Sequence, residues 1–398
     1  MRFLSLFSGI EAASCAWLPL GWECVGVSEI EPFPCSLLRH HYPDVPNLGD
    51  ITKITRKDIK ALGKIDLVVG GFPCQDVSIA GKKQGLEYAD GTPTRSGLFF
   101  DAMRIVEWIK PRWTVVENVP NLLGNNRGRD FAAVVGTLAG TGINVPQGGW
   151  RNTGVVAGKH GLVEWTVLDA QWRGLAQRRK RVFLVRDSGD WQSRPPVLIE
   201  PESLCGNPPS RGEAREDIAG TISARTQGGG GLGTDFELDG GLVPEVAHCL
   251  NTGGMGRIDY ESETFISTGQ GYWSESDKAA TLGTQARALY EGTCIAFSGK
   301  DCGSDAGELS PTLRSMNHGA SHANGGGQVA ISGEKYGVRR LTPLECERLQ
   351  GFPDSYTLIP HRGKPAADGP RYKALGNSFA VPVVSWIGEQ IISAEHNP

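Results

Sequence analysis

Short apolar runs alternate with helix-like stretches through the first half of this chain, and this pattern restricts the fold more than any other feature. Five runs have the length and composition of strands: residues 2–7, 25–28, 66–70, 113–117 and 181–185. Helical periodicity between them is clearest at residues 96–109 and 129–138. Apolar strands that alternate with helices predict a mostly parallel sheet covered on both faces, which is a Rossmann-like α/β fold.

The composition changes near residue 190. Glycine accounts for 54 of the 398 residues, and the stretch up to about residue 335 is rich in Gly, Thr and Ser. An apolar pattern returns at residues 379–392. We therefore predict an α/β domain at 1–190, an inserted, mainly β domain at 191–335, a hinge and return segment at 336–370, and a C-terminal segment at 371–398 that completes the first domain.

Charge is divided in a similar way. The formal net charge is −4, but residues 205–332 hold 8 basic and 16 acidic side chains, whereas the remainder holds 32 basic and 28 acidic ones. The basic excess is densest at residues 178–181 (RRKR). This distribution is compatible with binding a polyanion on one face; an ordinary solvated surface is the alternative.

Several classes of protein are disfavoured. No apolar run approaches the ~18–20 residues that a membrane helix needs. Glu11 interrupts the N-terminal stretch that otherwise resembles a signal peptide. The nine cysteines are scattered and form no CxxC pair. We therefore expect free thiols, no bound metal and a cytoplasmic location.

The first strand leads into the sequence FSGIE (7–11) and then a predicted helix. A glycine in the first β–α turn lets the backbone approach a ligand and directs helix N–H groups toward it. Glu29 ends the second strand about 20 residues later, where a carboxylate can bind ribose hydroxyls. The turn holds only one glycine of a G-x-G pair, so the pattern favours a nucleoside cofactor over a diphosphate one. A purely structural turn is the alternative.

Three further segments place reactive side chains at strand ends. Cys74 follows a strand in the sequence GGFPCQ, where a thiol can be activated as a nucleophile. Glu117 ends the next strand, where it can act as an acid. Arg179 and Arg181 lie in QRRKR before another strand, and alternate arginines can hold the oxygens of a nucleotide. We expect these side chains to face one crevice at the carboxyl edge of the sheet.

The order of these motifs resembles that of the cytosine-C5 DNA methyltransferases. FSG, PCQ, ENV, QRRKR and GNS follow one another as they do in that family, and the resemblance covers residues 3–187 and 336–388. The stretches RRLTPLECERLQGFPD (339–354) and ALGNSFAV (374–381) strengthen it. PCQ followed by ENV at this spacing is the most specific part. The glycine-rich middle takes the place of the family's target-recognition domain and is not itself matched.

The resemblance implies an enzyme that uses S-adenosylmethionine and acts on double-stranded DNA at a specific sequence. It implies that the Cys74 thiolate attacks C6 of a flipped-out cytosine, while Glu117 bonds N3 and the exocyclic amine. Arg179 and Arg181 would contact the base oxygen and neighbouring groups. The cofactor-binding residues it implies are Phe7, Ser8, Gly9, Ile10, Glu11, Glu29, Ile30, Asp50, Ile51, Pro73, Leu98, Asn377 and Ser378.

The chain departs from the family at several positions. Glu11 stands where many members have glycine, and Ile30 stands where an aromatic residue often stacks on adenine. Val77 replaces a common aromatic residue after Cys74. None of these changes removes a reacting group.

A four-residue pattern recurs in the middle of the chain: a small residue, any residue, Thr or Cys, then Ile or Leu. The copies are 219–222 (AGTI), 247–250 (AHCL), 279–282 (AATL) and 310–313 (SPTL), with their last residues 28, 32 and 31 positions apart. Such spacing indicates repeated supersecondary units, which we interpret as β-hairpin arms; chance similarity is the alternative.

An acidic domain can still read DNA if its tips carry hydrogen-bond donors, because sequence is read in the grooves. Donors in the middle of the chain and near the motifs are therefore candidates. The DNA-binding residues we expect are Gln75, Ser78, Asn118, Gln177, Arg225, Arg257, Arg287 and Arg314.

Other functions remain open. A tRNA cytosine methyltransferase has the same fold but lacks a large reader domain, and a catalytically inactive DNA-binding homologue would need neither Cys74 nor Glu117. A nicotinamide oxidoreductase fits the sheet but not these two residues. The sequence NPPS (207–210) resembles the tetrapeptide of amino-methylating DNA enzymes, but Ser210 cannot stack on a base, so we interpret it as a turn.

The resemblance also sets expectations about partners and origin. We expect a cognate restriction endonuclease that acts separately, no membrane partner, and a monomer. The chain begins directly at its first strand, which suits a bacterial or phage enzyme.

Overall fold

The computed structural model describes residues 1–73, 97–199, 310–313 and 337–396, together with the strands at 295–298 and 329–333. The strands are β1 (Arg2–Leu6), β2 (Glu23–Ser28), β3 (Leu67–Gly71), β4 (Trp113–Asn118), β5 (Thr153–Gly158), β6 (Gly161–Asp169), β7 (Lys180–Asp187), β8 (Ile295–Ser298), β9 (Val329–Gly333), β10 (Gly337–Arg340), β11 (Pro360–His361) and β12 (Lys364–Pro365). The α-helices are α1 (Ala12–Trp17), α2 (Pro32–His41), α3 (Arg56–Ala61), α4 (Leu98–Ile109), α5 (Arg129–Ala139), α6 (Pro343–Gln350), α7 (Asp368–Asn377) and α8 (Val381–His396).

Strands β1 to β7 form one sheet in the order β2-β1-β3-β4-β7-β6-β5. The first four of these in spatial order run parallel, and β7, β6 and β5 are antiparallel to their neighbours. The predicted α/β fold is confirmed, and all five predicted strands lie in this sheet. The hairpin of β5 and β6 was not predicted. Strand β5 lies at the sheet edge and is half exposed, so it lacks the continuous apolar run that marks a buried strand.

Alternate residues of the central strands pack into two separate cores. Phe3 and Val69 belong to the core on the face that α1, α2 and α8 cover. Leu4 and Val68 belong to the core on the opposite face, beneath α3, α4 and α5. Successive side chains of a strand point to opposite faces, so each of these apolar strands is covered on both sides.

The C-terminal helix completes the first of these cores. The indole N–H of Trp17 in α1 donates a hydrogen bond to the carbonyl of Val384 in α8 at 2.8 Å. A Cβ atom on Gly388 would lie 2.6 Å from the same indole nitrogen, so this contact requires glycine. The Trp113 indole donates to Glu395 at 2.7 Å. The two ends of the chain therefore stabilise one packed unit.

A smaller antiparallel sheet is formed by β8, β9 and β10. One copy of the recurring pattern, 310–313, pairs with the segment before β7 through a parallel bridge between Gln177 and Ser310. The other three copies lie outside the described residues. In the described part of the chain, no helix has the length and apolar character needed to cross a bilayer.

Candidate active site

The predicted catalytic segments meet at the carboxyl edge of β3 and β4, where β7 begins. In the register of the sheet, Gly71 of β3 pairs with Glu117 of β4, and Asn118 of β4 pairs with Val182 of β7. The antiparallel direction of β7 brings its first residues, including Arg181, to the carboxyl end of β4. The segment Gly71-Phe72-Pro73 leaves this edge, and Cys74 follows directly but lies outside the described residues.

Glu117 and Arg181 form the central ion pair of this edge. The guanidinium Nε of Arg181 lies 3.0 Å from Oε1 of Glu117, and the two side chains are 16% and 13% exposed. Burial raises the pKa of Glu117 above its usual range, and the positive charges of Arg181 and Arg179 oppose that rise. A carboxyl group in this setting can hold a proton at a higher pH than an exposed one.

The second oxygen of Glu117 packs against Gly71. A Cβ atom built on Gly71 would lie 2.9 Å from Oε2 of Glu117 and 2.8 Å from the ring of Phe379. Glycine at this position therefore lets the carboxyl group and the Phe379 ring approach the backbone closely. Asn118 holds the segment after β3, because its side-chain amide donates to the carbonyl of Phe72 at 3.3 Å. Its side-chain oxygen accepts from the backbone N–H of Val119 at 2.8 Å.

Arg179 lies beside this pair but binds the protein backbone. Its guanidinium donates to the carbonyls of Leu313 at 2.9 Å, Gly376 at 3.0 Å and Ser378 at 2.6 Å. The side chain is almost fully buried. Arg179 therefore joins residues 310–313 and the end of α7 to the start of β7. The two arginines that sequence analysis treated alike have different contacts.

Gln177 is 0% exposed, although it was predicted to contact DNA. Neither its side-chain oxygen nor its nitrogen has a hydrogen-bond partner among the described residues. A buried amide without partners is costly, typically about 1–3 kcal/mol. Contact between Gln177 and DNA stays a prediction, and it requires access that this arrangement of residues 310–313 does not give.

The turn after β1 has an unusual backbone. Phe7, Gly9 and Glu11 all have positive φ angles of 53°, 54° and 62°, and left-handed conformations are uncommon for residues other than glycine. Ser8 Oγ accepts from the N–H of Ser28 at 3.0 Å and ties the turn to β2. The buried Ile10 carbonyl accepts from the Tyr356 hydroxyl at 2.8 Å.

The side chain of Glu11 is buried beneath this turn and caps α1. Its Oε1 accepts from the backbone N–H and the hydroxyl of Ser14, at 3.1 and 3.0 Å. Its Oε2 has no partner among the described residues. Burial raises the pKa of Glu11 to about 7. The side chain therefore serves the helix N-terminus, and contact with a cofactor at this residue stays a prediction.

The ends of the next strands hold further residues that were predicted to bind the cofactor. Glu29 accepts from the N–H of Gly9 at 2.8 Å through Oε2, and from the N–H groups of Ile30 and Glu31 through Oε1. Ile30 is 67% exposed, which is high for an apolar side chain beside a folded core. Asp50 caps a short helix, and hydrogen bonds from Thr52 hold the pKa of Asp50 below its usual range.

Five more predicted cofactor residues are described at or near this edge. Ile51 is buried beside Asp50, Leu98 opens α4, and Pro73 is partly buried. Asn377 is exposed at the end of α7, and the carbonyl of Ser378 is held by Arg179. The remaining predicted site residues lie outside the described residues: Cys74, Gln75, Ser78, Arg225, Arg257, Arg287 and Arg314.

Sequence analysis missed two residues that shape the site. Phe379 lies against Gly71 and Phe183, and its position directly after the GNS motif was the available signal. Asp169 at the end of β6 accepts from the backbone N–H of Arg179 at 2.9 Å. No local signal marked Asp169, because the contact depends on how β6 pairs with β7.

Comparison with known proteins identifies relatives along the whole chain. The model of the family described as C-5 cytosine-specific DNA methylase matches residues 1–393. A DNA N-6-adenine-methyltransferase of Escherichia phage P1 is 33% identical over 470 residues, and the alignment covers 98% of this chain but 61% of that protein. Type II methyltransferase M.NlaIV of Neisseria lactamica is 28% identical over 463 residues, covering 98% of this chain and 99% of that one.

A solved structure shows the same fold. The crystal structure of the S. pombe Dnmt2 methyltransferase matches with a TM-score of 0.50 and 16% identity, and the match covers 99% of this chain and 97% of that chain.

Proposed function

The chain belongs to the C-5 cytosine-specific DNA methylase family, and on that premise we propose that it methylates carbon 5 of a flipped-out cytosine in double-stranded DNA through a covalent bond between Cys74 and C6. The observation that carries this proposal is the buried Glu117–Arg181 pair. It stands at the edge of the sheet from which the Cys74 segment leaves.

The chemistry of Glu117 matches the needs of a cytosine ring. Cytosine N3 is an acceptor and its exocyclic amine is a donor, so a protonated carboxyl group can bind both. Burial favours that protonated form of Glu117. Because Arg181 holds Oε1, the carboxyl group is oriented before a base arrives. The base oxygen would then lie within reach of the Arg181 guanidinium.

Cys74 would supply the nucleophile. Carbon 5 of cytosine is a poor nucleophile, and addition of the Cys74 thiolate to C6, with a proton from Glu117 at N3, converts the ring into an enamine. Carbon 5 then takes the methyl group, a base removes the C5 proton, N3 returns its proton to Glu117, and the C6–S bond breaks to regenerate the ring and the thiolate. Covalent catalysis of this kind divides one difficult step into easier ones. The base must leave the duplex first, at a cost of about a few kcal/mol.

The residues at the ends of β1 and β2 fit S-adenosylmethionine. Glu29 keeps part of its acceptor capacity for a ribose hydroxyl, and the exposed Ile30 offers an apolar surface to an adenine ring. When it is bound, S-adenosylmethionine supplies the electrophilic methyl group. The chain's own part is to position it, through the backbone of the Phe7–Glu11 turn and the carboxylate of Glu29.

The name of the phage P1 relative raises a different activity, methylation of the adenine amino group. We assign carbon 5 of cytosine instead. The family model spans nearly the whole of this chain, whereas 39% of the phage protein lies outside the match. The NPPS sequence at 207–210 ends in a serine that cannot stack on a base. By analogy with the type II relatives, we propose that this enzyme acts at a specific sequence that a separate restriction endonuclease could share.

The test is base-resolution methylation sequencing of DNA from a bacterial host that lacks cytosine methylation and expresses this chain. We expect 5-methylcytosine in a defined context with the native protein and with Cys346→Ala, which removes another cysteine, and none with Cys74→Ser. DNA that contains 5-fluorocytosine should trap a covalent complex with the native protein and with Cys346→Ala but not with Cys74→Ser, because fluorine cannot leave as a proton does. Methylated adenine, methylated RNA alone, or an active Cys74→Ser variant would overturn the proposal.

A further inference from the structure

We propose that Arg179 is a positioning residue that couples the binding of S-adenosylmethionine to the docking of residues 310–313 on the catalytic domain. We call residues 310–313 the docked segment. The coupling rests on the function proposed above, both for the identity of the cofactor and for the role of the inserted part of the chain in reading DNA.

The docked segment belongs to the part of the chain between β8 and β9, which sequence analysis assigned to DNA recognition. Two backbone hydrogen bonds place it beside the start of β7. The N–H of Ser310 donates to the carbonyl of Ala176 at 2.9 Å, and the N–H of Arg178 donates to the carbonyl of Ser310 at 2.8 Å. Leu313 is buried in the core that α8 covers. The docked segment is therefore a point at which the inserted part of the chain is fixed to the catalytic domain.

The guanidinium of Arg179 caps the C-terminus of α7, beside predicted cofactor residues. The last carbonyl groups of a helix have no partner within the helix. Arg179 donates to the carbonyl of Gly376 at 3.0 Å and to that of Ser378 at 2.6 Å, and its positive charge lies at the negative end of the helix dipole. These two carbonyls flank Asn377, and Asn377 and Ser378 were both predicted to bind the cofactor. The position of this short stretch therefore depends on Arg179.

A third hydrogen bond joins the two sites through the same side chain. Nη1 of Arg179 donates to the carbonyl of Leu313 at 2.9 Å, whereas Nη2 makes both bonds to the end of α7. The guanidinium is planar and rigid, so its nitrogens move together. The side chain is 2% exposed, so water does not readily replace a lost partner. A shift of the carbonyls at 376 and 378 must therefore either move the docked segment as well or break its bond to Arg179.

The backbone of Arg179 is held separately from its guanidinium. Its N–H donates to Asp169 at 2.9 Å, and its carbonyl accepts from the N–H of Ala170 at 3.1 Å. Both partners lie at the end of β6 and the start of the turn that follows it. Strand β7 is therefore fixed in place, and a ligand at residues 377 and 378 acts on the carbonyl partners of the guanidinium.

Two states follow from these contacts. In one state the docked segment and the end of α7 share Arg179, and in the other the segment has left. A cofactor that holds residues 377 and 378 in their bonded positions favours the first state. Binding free energies are reciprocal, so docking of the segment raises the affinity for the cofactor by the same factor. The inserted part of the chain would then be fixed for DNA recognition when the methyl donor is present.

The test is hydrogen exchange of backbone amides, measured by mass spectrometry on the purified full chain with and without S-adenosylhomocysteine, which lacks the transferable methyl group. The informative amides are those of Ser310 and Arg178. We expect a saturating concentration of S-adenosylhomocysteine to slow their exchange at least about fivefold in the native protein. The amide of Val197, which donates to Glu164 at the opposite edge of the sheet, is the internal reference and should not change.

Variants separate this coupling from simple stabilisation. In Arg179→Lys the ammonium cannot hold the carbonyls in a planar fork, and we expect the ligand to slow exchange by less than about twofold. Thr312→Val removes the hydroxyl that donates to the carbonyl of Arg178 at 2.5 Å. Exchange should then be faster both with and without ligand, while the ratio of the two rates stays native. Arg194→Lys, which changes a different buried arginine, should also keep the native ratio.

The possible results distinguish the coupling from the proposed function. Equal exchange rates of the native protein with and without bound S-adenosylhomocysteine would overturn the coupling, even if the protein methylates DNA. A native ratio in Arg179→Lys would overturn the role of Arg179. Slowed exchange in a protein that leaves DNA unmethylated would support the coupling and reject the proposed function. Failure of the native protein to bind S-adenosylhomocysteine, measured by calorimetry, would reject both.

Discussion

The main sheet has one edge where its parallel strands end and an opposite edge where they begin. Both edges hold buried carboxylates and arginines, but the carboxylates have different numbers of hydrogen-bond donors. At the edge where β7 ends, Glu164 accepts from Arg194 at 2.7 Å and from the N–H groups of Val197 and Leu198 at 2.9 Å. Asp187 accepts from Arg194 at 2.7 Å and from the N–H of Gly189 at 2.8 Å. Both carboxylates are surrounded by donors of the protein itself.

At the opposite edge, Glu117 has one protein donor among the described residues, Arg181. Its second oxygen packs against Gly71 and has no protein donor among the described residues. The comparison teaches that burial and ion pairing alone do not single out a candidate catalytic carboxylate. Unused bonding capacity singles out Glu117, because that capacity is available to a substrate.

The largest expected effect is a loss of activity at the edge that holds Glu117. Glu117→Gln should reduce the methylation rate by a factor of at least about 100, because an amide cannot transfer a proton to N3. The free energy of unfolding should fall by less than about 3 kcal/mol, because the glutamine carbonyl can still accept from Arg181 although the ion pair is lost. Single-turnover rates and urea unfolding check both parts. An activity within threefold of the native value would contradict the role of Glu117.

At the edge that holds Arg194, a substitution should lower the stability of the protein and leave its activity unchanged. Arg194→Met leaves Glu164 and Asp187 without their shared partner, and removal of one member of a buried ion network typically costs about 3–5 kcal/mol. We expect the urea midpoint to fall while the rate per folded molecule is unchanged. Lys64→Met, which removes an exposed ion pair with Asp66, is the control and should change little. If activity fell and stability did not, the two edges would not differ as described.

Glu11 tests an intermediate case, because one of its oxygens is bonded and the other is not. In the folded protein its pKa is about 7, against an ordinary value of 4.5. Between these values the folded chain keeps the proton that the unfolded chain loses, so stability should fall as pH rises from 4.5 to 7. The loss is at most about 3 kcal/mol. Urea unfolding of Glu11→Gln should show a flatter pH profile over this window, and a profile parallel to the native one would contradict the burial effect.

The smallest expected effect concerns the close packing of Glu117 and Phe379 against Gly71. Gly71→Ala would bring a methyl group within 2.9 Å of Glu117 Oε2 and 2.8 Å of the Phe379 ring. We expect kcat/KM for DNA to fall roughly tenfold, since small displacements of catalytic groups are costly. Gly124→Ala, where a Cβ atom would meet no atom within 4 Å, is the control. Equal activity of the two variants would contradict a role for the close contact between Gly71 and Glu117.

Much of the site was predictable because its parts sit at strand ends. Apolar runs placed β1, β2, β3, β4 and β7, and the motif at each end identified Glu29, Glu117 and Arg181 as neighbours of one edge. The pairing of Arg179 was not predictable. Its three carbonyl partners come from residues 313, 376 and 378, far apart in the chain, and backbone carbonyls leave no trace in a sequence.

The sequence by itself determined the α/β fold and the candidate reacting groups, because buried strands need continuous apolar residues and each chemical role needs a particular side chain. The tertiary structure alone decided that Arg181, and not Arg179, pairs with the carboxyl group of Glu117. It also decided that Glu11 caps a helix and that one copy of the recurring pattern lies beside the site. These outcomes depend on the antiparallel direction of β7 and on contacts between distant segments, which local sequence does not encode.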